Sequence, residues 1–437
     1  MDVERSVNQA AGRRRDGLYL LGMGCALFLL LSIGMENASS TPMIDFKVLY
    51  YPARCLVQHH DPYQESQVLR VYQAEAGHSP LDTPKVLEIV SRYLYLPSAF
   101  LITALFALLP WGPAHLIWLA LTIASLIFAA FLIWDIGADY APRLSGLLVA
   151  LFLINSGDVV ALSNAAGIAS ALCVVAVWSF VRNRWAAAGA ICLAVSLALK
   201  PQDAGLVWLY LLLSGGIYRK RAMQTLLATL VIGLPGLLWI SHVAPHWMQE
   251  WHSNVQAFAV HGGLNDPGPA STGRYGLGMM VSLPILFSYL KDDPSFYNPA
   301  SLLLTACMFL ALLFFAVRHR FQEREPWLAI AATAALALLP LYHRQQDTKL
   351  LLLTVPACAM LWAGGGALAR WLALCVTLAG FVLTGDLLWI LLDDIFKINL
   401  SMNVRIFPVP LMLLATVIFY VWVFAGHSLK SRLRESA

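Results

Sequence analysis

Charge is what this chain has least of. Only 12% of its 437 residues are Asp, Glu, Lys or Arg, while 59% are apolar; a typical soluble domain carries about 25% charged residues. A soluble chain must keep a polar exterior, so a mean hydropathy of +0.68 argues against a water-soluble globule. Cysteine supplies no framework either. Cys25, Cys173, Cys192, Cys307, Cys358 and Cys375 lie in apolar runs, where a thiol serves as a small hydrophobe. Only Cys55 sits in a polar segment, and no structural disulfide is expected. No glycine-rich nucleotide motif of the Walker or dinucleotide type is present, and no loop is long enough for a soluble domain of ordinary size. Those absences argue against an ATP-driven pump or a kinase. The net charge of +4 points to no nucleic-acid partner, because it belongs to loops that obey the orientation rule of membrane proteins.

What the chain does have is apolar runs, recurring from Leu18 to Phe424. A spanning helix needs roughly 17–25 apolar residues. The expected architecture is all-α and polytopic, a single integral membrane domain over 1–437. About twelve spans are expected, at 17–35, 114–134, 144–157, 159–181, 186–200, 203–218, 222–242, 299–317, 326–342, 348–366, 369–391 and 406–426. Arg13-Arg14-Arg15 precede the first run, which reads as an uncleaved helix because no small-residue cleavage site follows it. Pro97 and Pro284 interrupt two further pieces, 94–111 and 273–290. These are read as outer-side helices embedded without crossing, which is tolerated where protein or a wet cavity satisfies their backbone.

Charge decides that treatment. With both termini cytoplasmic, Arg182/Arg184, Arg219-Lys220-Arg221, Arg318/Arg320/Arg324, Arg370 and Lys430/Arg432/Arg434 all fall inside, and the acids are in excess outside. Counting either interrupted piece as a crossing inverts the basic loops that follow it. The long polar segments then lie outside: the first extracytoplasmic loop, 36–93, and a second outer segment, 243–298. A multi-pass protein of a bacterial inner membrane, in contact with its lipids, is expected.

The first outer loop opens Met43-Ile44-Asp45-Phe46-Lys47-Val48-Leu49-Tyr50-Tyr51 and runs on to His60-Asp61-Pro62-Tyr63. An acid just outside a first span sits near lipid headgroups, and tyrosines suit that depth. By residue type alone, Asp45 reads as a solvated juxtamembrane acid among ordinary interfacial aromatics. The arrangement, an Asp five residues before a Tyr pair and then Asp-Pro-Tyr, resembles glycosyltransferase family 87, of the GT-C superfamily of polytopic transferases. The resemblance continues at Arg92-Tyr93-Leu94-Tyr95-Leu96-Pro97, at Asn155-Ser156-Gly157-Asp158, at Leu199-Lys200-Pro201-Gln202 and at Leu341-Tyr342-His343-Arg344-Gln345-Gln346-Asp347. It covers roughly residues 17–360, in order. Two departures, Asp158 where the family often has Gln and His60 where it often has Gly, bear on the substrate more than on the class.

The resemblance implies transfer of a hexose such as mannose from a polyprenyl-phosphate donor to a lipid or glycan acceptor, with inversion and with an acid in the first outer loop as general base. That acid is Asp45, with Asp61 as second choice; Asp-Pro is also a turn former. A phosphate leaving group needs cations or hydrogen-bond donors, not a second acid. The candidates are Lys200, His343, Arg344, Arg274 and Lys349. Lysine and arginine at helix ends also snorkel without any ligand, Asp203 is an available partner for Lys200, and His343 reads equally as a structural interfacial histidine. Arg92 and Tyr51 are candidates to orient the acid. The histidines and tryptophans of 243–272 (His246, Trp247, Trp251, His252, His261) lack metal-ligand spacing, and neither a metal nor another cofactor is expected. The competing classes are a secondary transporter, for which Asp386 is the best-placed acid, and a polymerase or ligase of lipid-linked glycans, which wants a large late outer loop.

Overall fold

The computed structural model describes residues 2–38, 43–76, 83–269, 280–318, 326–398 and 400–435, and over these it is helical with no strand. Thirteen helices precede residue 260. They are α1 (Asp2–Ala38), α2 (Ile44–Val57), α3 (Glu65–Ala76), α4 (Pro84–Ser91), α5 (Phe100–Ala107), α6 (Trp111–Gly137) and α7 (Pro142–Ile154). They continue with α8 (Gly157–Leu162), α9 (Ala165–Val181), α10 (Ala186–Leu199), α11 (Pro201–Leu213), α12 (Gly216–Val243) and α13 (Trp247–Ala259). Later helices include Pro294–Arg318, Pro326–Ala337, Thr354–Gly364, Ala367–Leu383 and Pro408–Glu435.

Among the described residues five segments are long and apolar enough to cross a bilayer: Ala11–Asn37, Trp111–Gly137, Gly216–Val243, Pro294–Val317 and Val404–Gly426. A sixth crossing is available if Ala367–Leu383 and Leu387–Asp393, bent by 62°, count as one span. Several other expected spans are short apolar helices, among them Pro142–Ile154, Ala165–Val181, Ala186–Leu199 and Pro326–Ala337. A helix of 13 residues such as α7 rises only about 20 Å, short of a hydrocarbon core about 30 Å thick. The breaks have local causes. Pro201 drives Lys200 out of the helical region, to φ −151° and ψ 78°, and splits α10 from α11. The polar turn Asn155-Ser156 ends α7, and the expected span 348–366 begins as a 3-10 helix, Gln345–Leu353. The interrupted piece 94–111 is a 3-10 turn, Pro97–Ala99, followed by the short α5. Of 273–290 the described part holds the helix Pro284–Ser288.

Small residues let the bundle close. A Cβ on Gly146 of α7 would lie 2.3 Å from the Gly17 carbonyl oxygen of α1, so the two backbones touch where those glycines meet. Above this bundle sits a second core built on aromatic rings. Phe46 stacks on Trp118 at 4.8 Å and on Trp111 at 5.5 Å, and Tyr51 stacks on Trp111 and meets Tyr72 edge-on. Tyr63, Tyr93 and Phe100 continue the cluster, which fastens α2–α5 to the end of α6.

The 3-10 helix Gln345–Leu353 is buried throughout its length. Nine residues is long for a 3-10 helix, and polar anchors hold it on two sides. On one side Lys349 Nζ lies 3.2 Å from Asp158 and donates to the Asn155 carbonyl at 3.0 Å. There too Asp386 accepts from the Asp158 backbone N–H at 2.8 Å and from Gln345 Nε2 at 3.0 Å. Leu387 N–H donates to Asn155 Oδ1, so the bend after Ala367–Leu383 is stitched to the α7–α8 turn. Removing one partner of a buried ion pair strands the other charge. Lys349→Met is therefore expected to lower stability by about 3–5 kcal/mol, and adding Asp158→Leu to restore most of the loss, read as thermal unfolding in detergent.

Candidate active site

Asp45 stands in the first turn of α2, where the helix dipole favours a carboxylate. Its place is set by backbone: Met43, left-handed at φ 53°, donates its N–H to the Ala161 carbonyl at 2.9 Å and so docks the start of α2 on the α8–α9 turn. That turn is itself pinned, since Trp118 Nε1 donates to the Ser163 carbonyl at 3.0 Å. The next residue, Asn164, is the N-cap of α9. Its Oδ1 accepts from Ala166 N–H at 2.8 Å, which turns Nδ2 toward Asp45 Oδ2 at 2.7 Å. Asp45 and Asn164 are both partly exposed.

Behind them the break at Lys200-Pro201 turns the lysine inward. Its ammonium reaches Asn164 Oδ1 at 3.5 Å and is ion-paired to Asp347. Asp347 is the hub of the site. Its carboxylate takes Lys200, lies 3.1 Å from His343 Nδ1, and accepts the Arg344 backbone N–H at 2.9 Å, which caps the 3-10 helix at the same time. His343 Nδ1 also lies 3.5 Å from Asp203, whose two carboxylate oxygens are buried without a hydrogen-bond donor, and His343 Nε2 is likewise buried and unpartnered.

Arg344 differs from Lys200 in being partly exposed. Its Nε donates to Tyr342 Oη at 2.7 Å, and one terminal nitrogen donates to the Leu264 carbonyl at 3.1 Å. Among the described residues no carboxylate forms an ion pair with it. It acts on Asp45 through space, as does Lys200, and Tyr95 and Tyr342 lie in the same field. Burial pushes the Asp45 carboxyl above the ordinary carboxylate range; the Asn164 hydrogen bond and the charges of Arg344 and Lys200 pull it down, without cancelling the rise.

The other candidates fall elsewhere. Asp61 forms a turn, accepting from Tyr63 N–H at 2.9 Å. Arg92 is engaged by Glu65 at 3.2 Å and Glu88 at 3.0 Å, so its bonds hold α3 to α4 and none reaches Asp45. Tyr51 is part of the aromatic core, Lys349 is buried against Asp158, and Arg274 lies outside the described residues. The Lys200 ammonium hydrogen-bonds the carboxylate of Asp347 and not that of Asp203. Sequence reasoning passed over Asn164 and quoted Asp347 in the His343 motif without giving it a role. Asn164 carried a signal, an Asn directly before an apolar run, which marks a helix N-cap. Among the described residues two groups bring three ligand atoms within 4.8 Å of one another, Asp203/His343/Asp347 and His261/Asp266/Asp292. In the first, the Lys200 ammonium already supplies positive charge to Asp347.

A helical membrane protein with an acid, an amide and two cations gathered where α2, α9, α10 and the 3-10 helix meet is the class that fold and site define. The model of glycosyltransferase family 87 matches residues 93–343, more than half of the chain, and the chain belongs to that family. No curated protein and no solved structure matches it.

Asn164 donates to the charged form of Asp45, so losing that bond must raise the Asp45 pKa. Asn164→Ala is expected to move the acid limb of the kcat profile about one to two units upward, given about 1.5–3 kcal/mol for a hydrogen bond to a charged group. An unmoved limb in steady-state rates between about pH 4 and 8 would show that the Asp45 carboxyl does not set that limb.

Proposed function

We propose that this glycosyltransferase moves a hexose, with mannose the first to try, from a polyprenyl-phosphate donor to an acceptor hydroxyl of a lipid or glycan at the extracytoplasmic face, with inversion. Asp45 is the general base. The observation that carries this reading is the pairing of a partly exposed acid with a partly exposed arginine that no described carboxylate neutralises. An acid whose burial raises its pKa is a better match to a hydroxyl proton near neutral pH than an ordinary surface carboxylate. Arg344 offers its guanidinium to the departing phosphate, where positive charge is worth most as the sugar–oxygen bond lengthens. Lys200, tied to Asp347, adds field more than direct contact. Tyr95 and Tyr342 contribute ring faces and hydroxyls on which a sugar can rest. Inversion follows if Asp45 deprotonates the acceptor on the face opposite the phosphate in one displacement.

Topology completes the reading. We take the short apolar helices as crossings too, which gives about twelve spans, cytoplasmic termini and an outward site in a bacterial inner membrane; that count keeps every basic loop inside. The test is transfer of labelled hexose from synthetic polyprenyl-phosphate donors by purified protein. Asp45→Asn is expected to fold normally and to lose about 10²–10⁴-fold in turnover. Transfer at the parent rate by that variant would remove Asp45 from the mechanism. Arg344→Met is expected to cost about 10²-fold or more, and a donor with a better leaving group should recover part of that loss.

A further inference from the structure

Between α1 and α6 the molecule leaves an open groove of about 820 Å³. It exists because α1 makes its close contacts with α7. A Cβ on Gly24 would lie 2.5 Å from Ala150 of α7, whereas one on Gly22 would meet nothing within 4 Å. Gly22 on α1, with Ala120 and Ala124 on α6, lines the groove; all three are small and exposed. Apart from the Cys25 thiol, no side chain lining it carries a polar atom. The groove extends from Leu18 to Leu29 on α1 and from Ala120 to Phe131 on α6. At 1.5 Å per residue that is about 16 Å, close to half of a hydrocarbon core about 30 Å thick. Its length is that of one leaflet, the reach of a phospholipid acyl chain.

One end of the groove is basic. Arg15 precedes Leu18 by three residues and Gly22 by seven, so it shares their face of α1. Side chains on a helix lean toward its N-terminus, which carries this guanidinium outward to headgroup depth. The acids nearby are already matched. Asp16 is paired with Arg143, Asp135 with Arg14 at 3.0 Å, and Asp139 with Arg182 at 2.6 Å. Arg15 is exposed, and among the described residues no carboxylate forms an ion pair with it. An apolar groove one leaflet long, ending at an unmatched arginine, complements both parts of an anionic phospholipid.

We propose that this groove binds one anionic phospholipid, with an acyl chain packed along α1 and α6 and the phosphate held by Arg15. With the termini cytoplasmic, the lipid belongs to the cytoplasmic leaflet, whose anionic headgroups attract basic residues at a helix end. Lipid tails are as apolar as the groove, so close packing, not exclusion of water, holds the chain. The arginine supplies the preference for negative charge. This site stands apart from the transferase reading and needs no turnover to be observed.

Native mass spectrometry of the whole protein, released from detergent with dioleoyl phosphatidylglycerol or dioleoyl phosphatidylcholine added, counts the lipid retained. The parent is expected to hold one phosphatidylglycerol about fivefold more tightly than phosphatidylcholine, the contribution of one arginine beside anionic headgroups. Arg15→Gln should erase that preference, while Arg13→Gln, on another face of α1, should leave it. Gly22→Leu fills the groove without meeting backbone and should lose both lipids alike. The site is overturned if Gly22→Leu retains lipid as the parent does, or if Arg13→Gln and Arg15→Gln lower the preference equally. Should Gly22→Leu break up a dimer and leave lipid retention unchanged, the groove holds a second copy of the chain and the lipid site is excluded.

Discussion

One buried carboxylate, Asp347, organises the charged interior of this molecule. A charge taken out of water costs several kcal/mol unless partners surround it, and this one has a lysine from the α10–α11 break, a histidine and a backbone amide. Because each partner comes from a different place, satisfying Asp347 also brings those places together. The break at Lys200, the entry to the 3-10 helix and, through Asn164, the first turn of α2 all converge on the same few ångströms. The geometry of the candidate site is in this sense a by-product of electrostatic necessity. A lipid-facing protein that buries ions must gather them, and gathered ions of mixed sign beside a partly open acid are what the phosphate-leaving reaction proposed above would use.

The aromatic cap plays a complementary part. Helices α2–α5 are short, and α3 and α4 bury only a few apolar side chains each, among them Val68, Val71, Tyr72, Val86 and Val90. They stay in place because tyrosines and tryptophans bury large faces while directing a hydroxyl or indole N–H to a backbone carbonyl. Tyr50 Oη bonds to the Leu109 carbonyl, Tyr63 Oη to that of Tyr95, and Trp251 Nε1 to that of Leu94. This layer, with the Met43–Ala161 backbone bond, holds the first turn of α2 against a packed core.

Class and site were legible to different depths. Scarce charge and long apolar runs suffice for a helical membrane protein, and motif order sufficed for the family. Asp45, Lys200, His343 and Arg344, picked out along the chain, do gather in one neighbourhood. Their partners were not legible, because Lys200 and Asp347 are separated by 147 residues and Asp45 and Asn164 by 119, and residue type alone cannot choose among distant acids. Lys200 had a nearer acid in Asp203, and geometry passed it over. Arg92 shows the converse: its bond to Glu88 is an i,i+4 helical pair, a local pattern readable without any structure. The span count was obscured by chain breaks at polar turns and prolines, where hydropathy runs on although the helix stops.

The nine-residue 3-10 helix has one more implication. Three residues make each turn, so adjacent side chains point about 120° apart. Asp347 and Lys349 use that angle to serve two separate ion clusters from a single strand of backbone, with Gln345 joining the second. Substituting a side chain here disturbs one cluster, whereas inserting or deleting a single residue rotates everything beyond it and uncouples both at once. Between His343 and Lys349 the quantity under constraint is length, and a change of register there is the one lesion that no compensating charge elsewhere can repair.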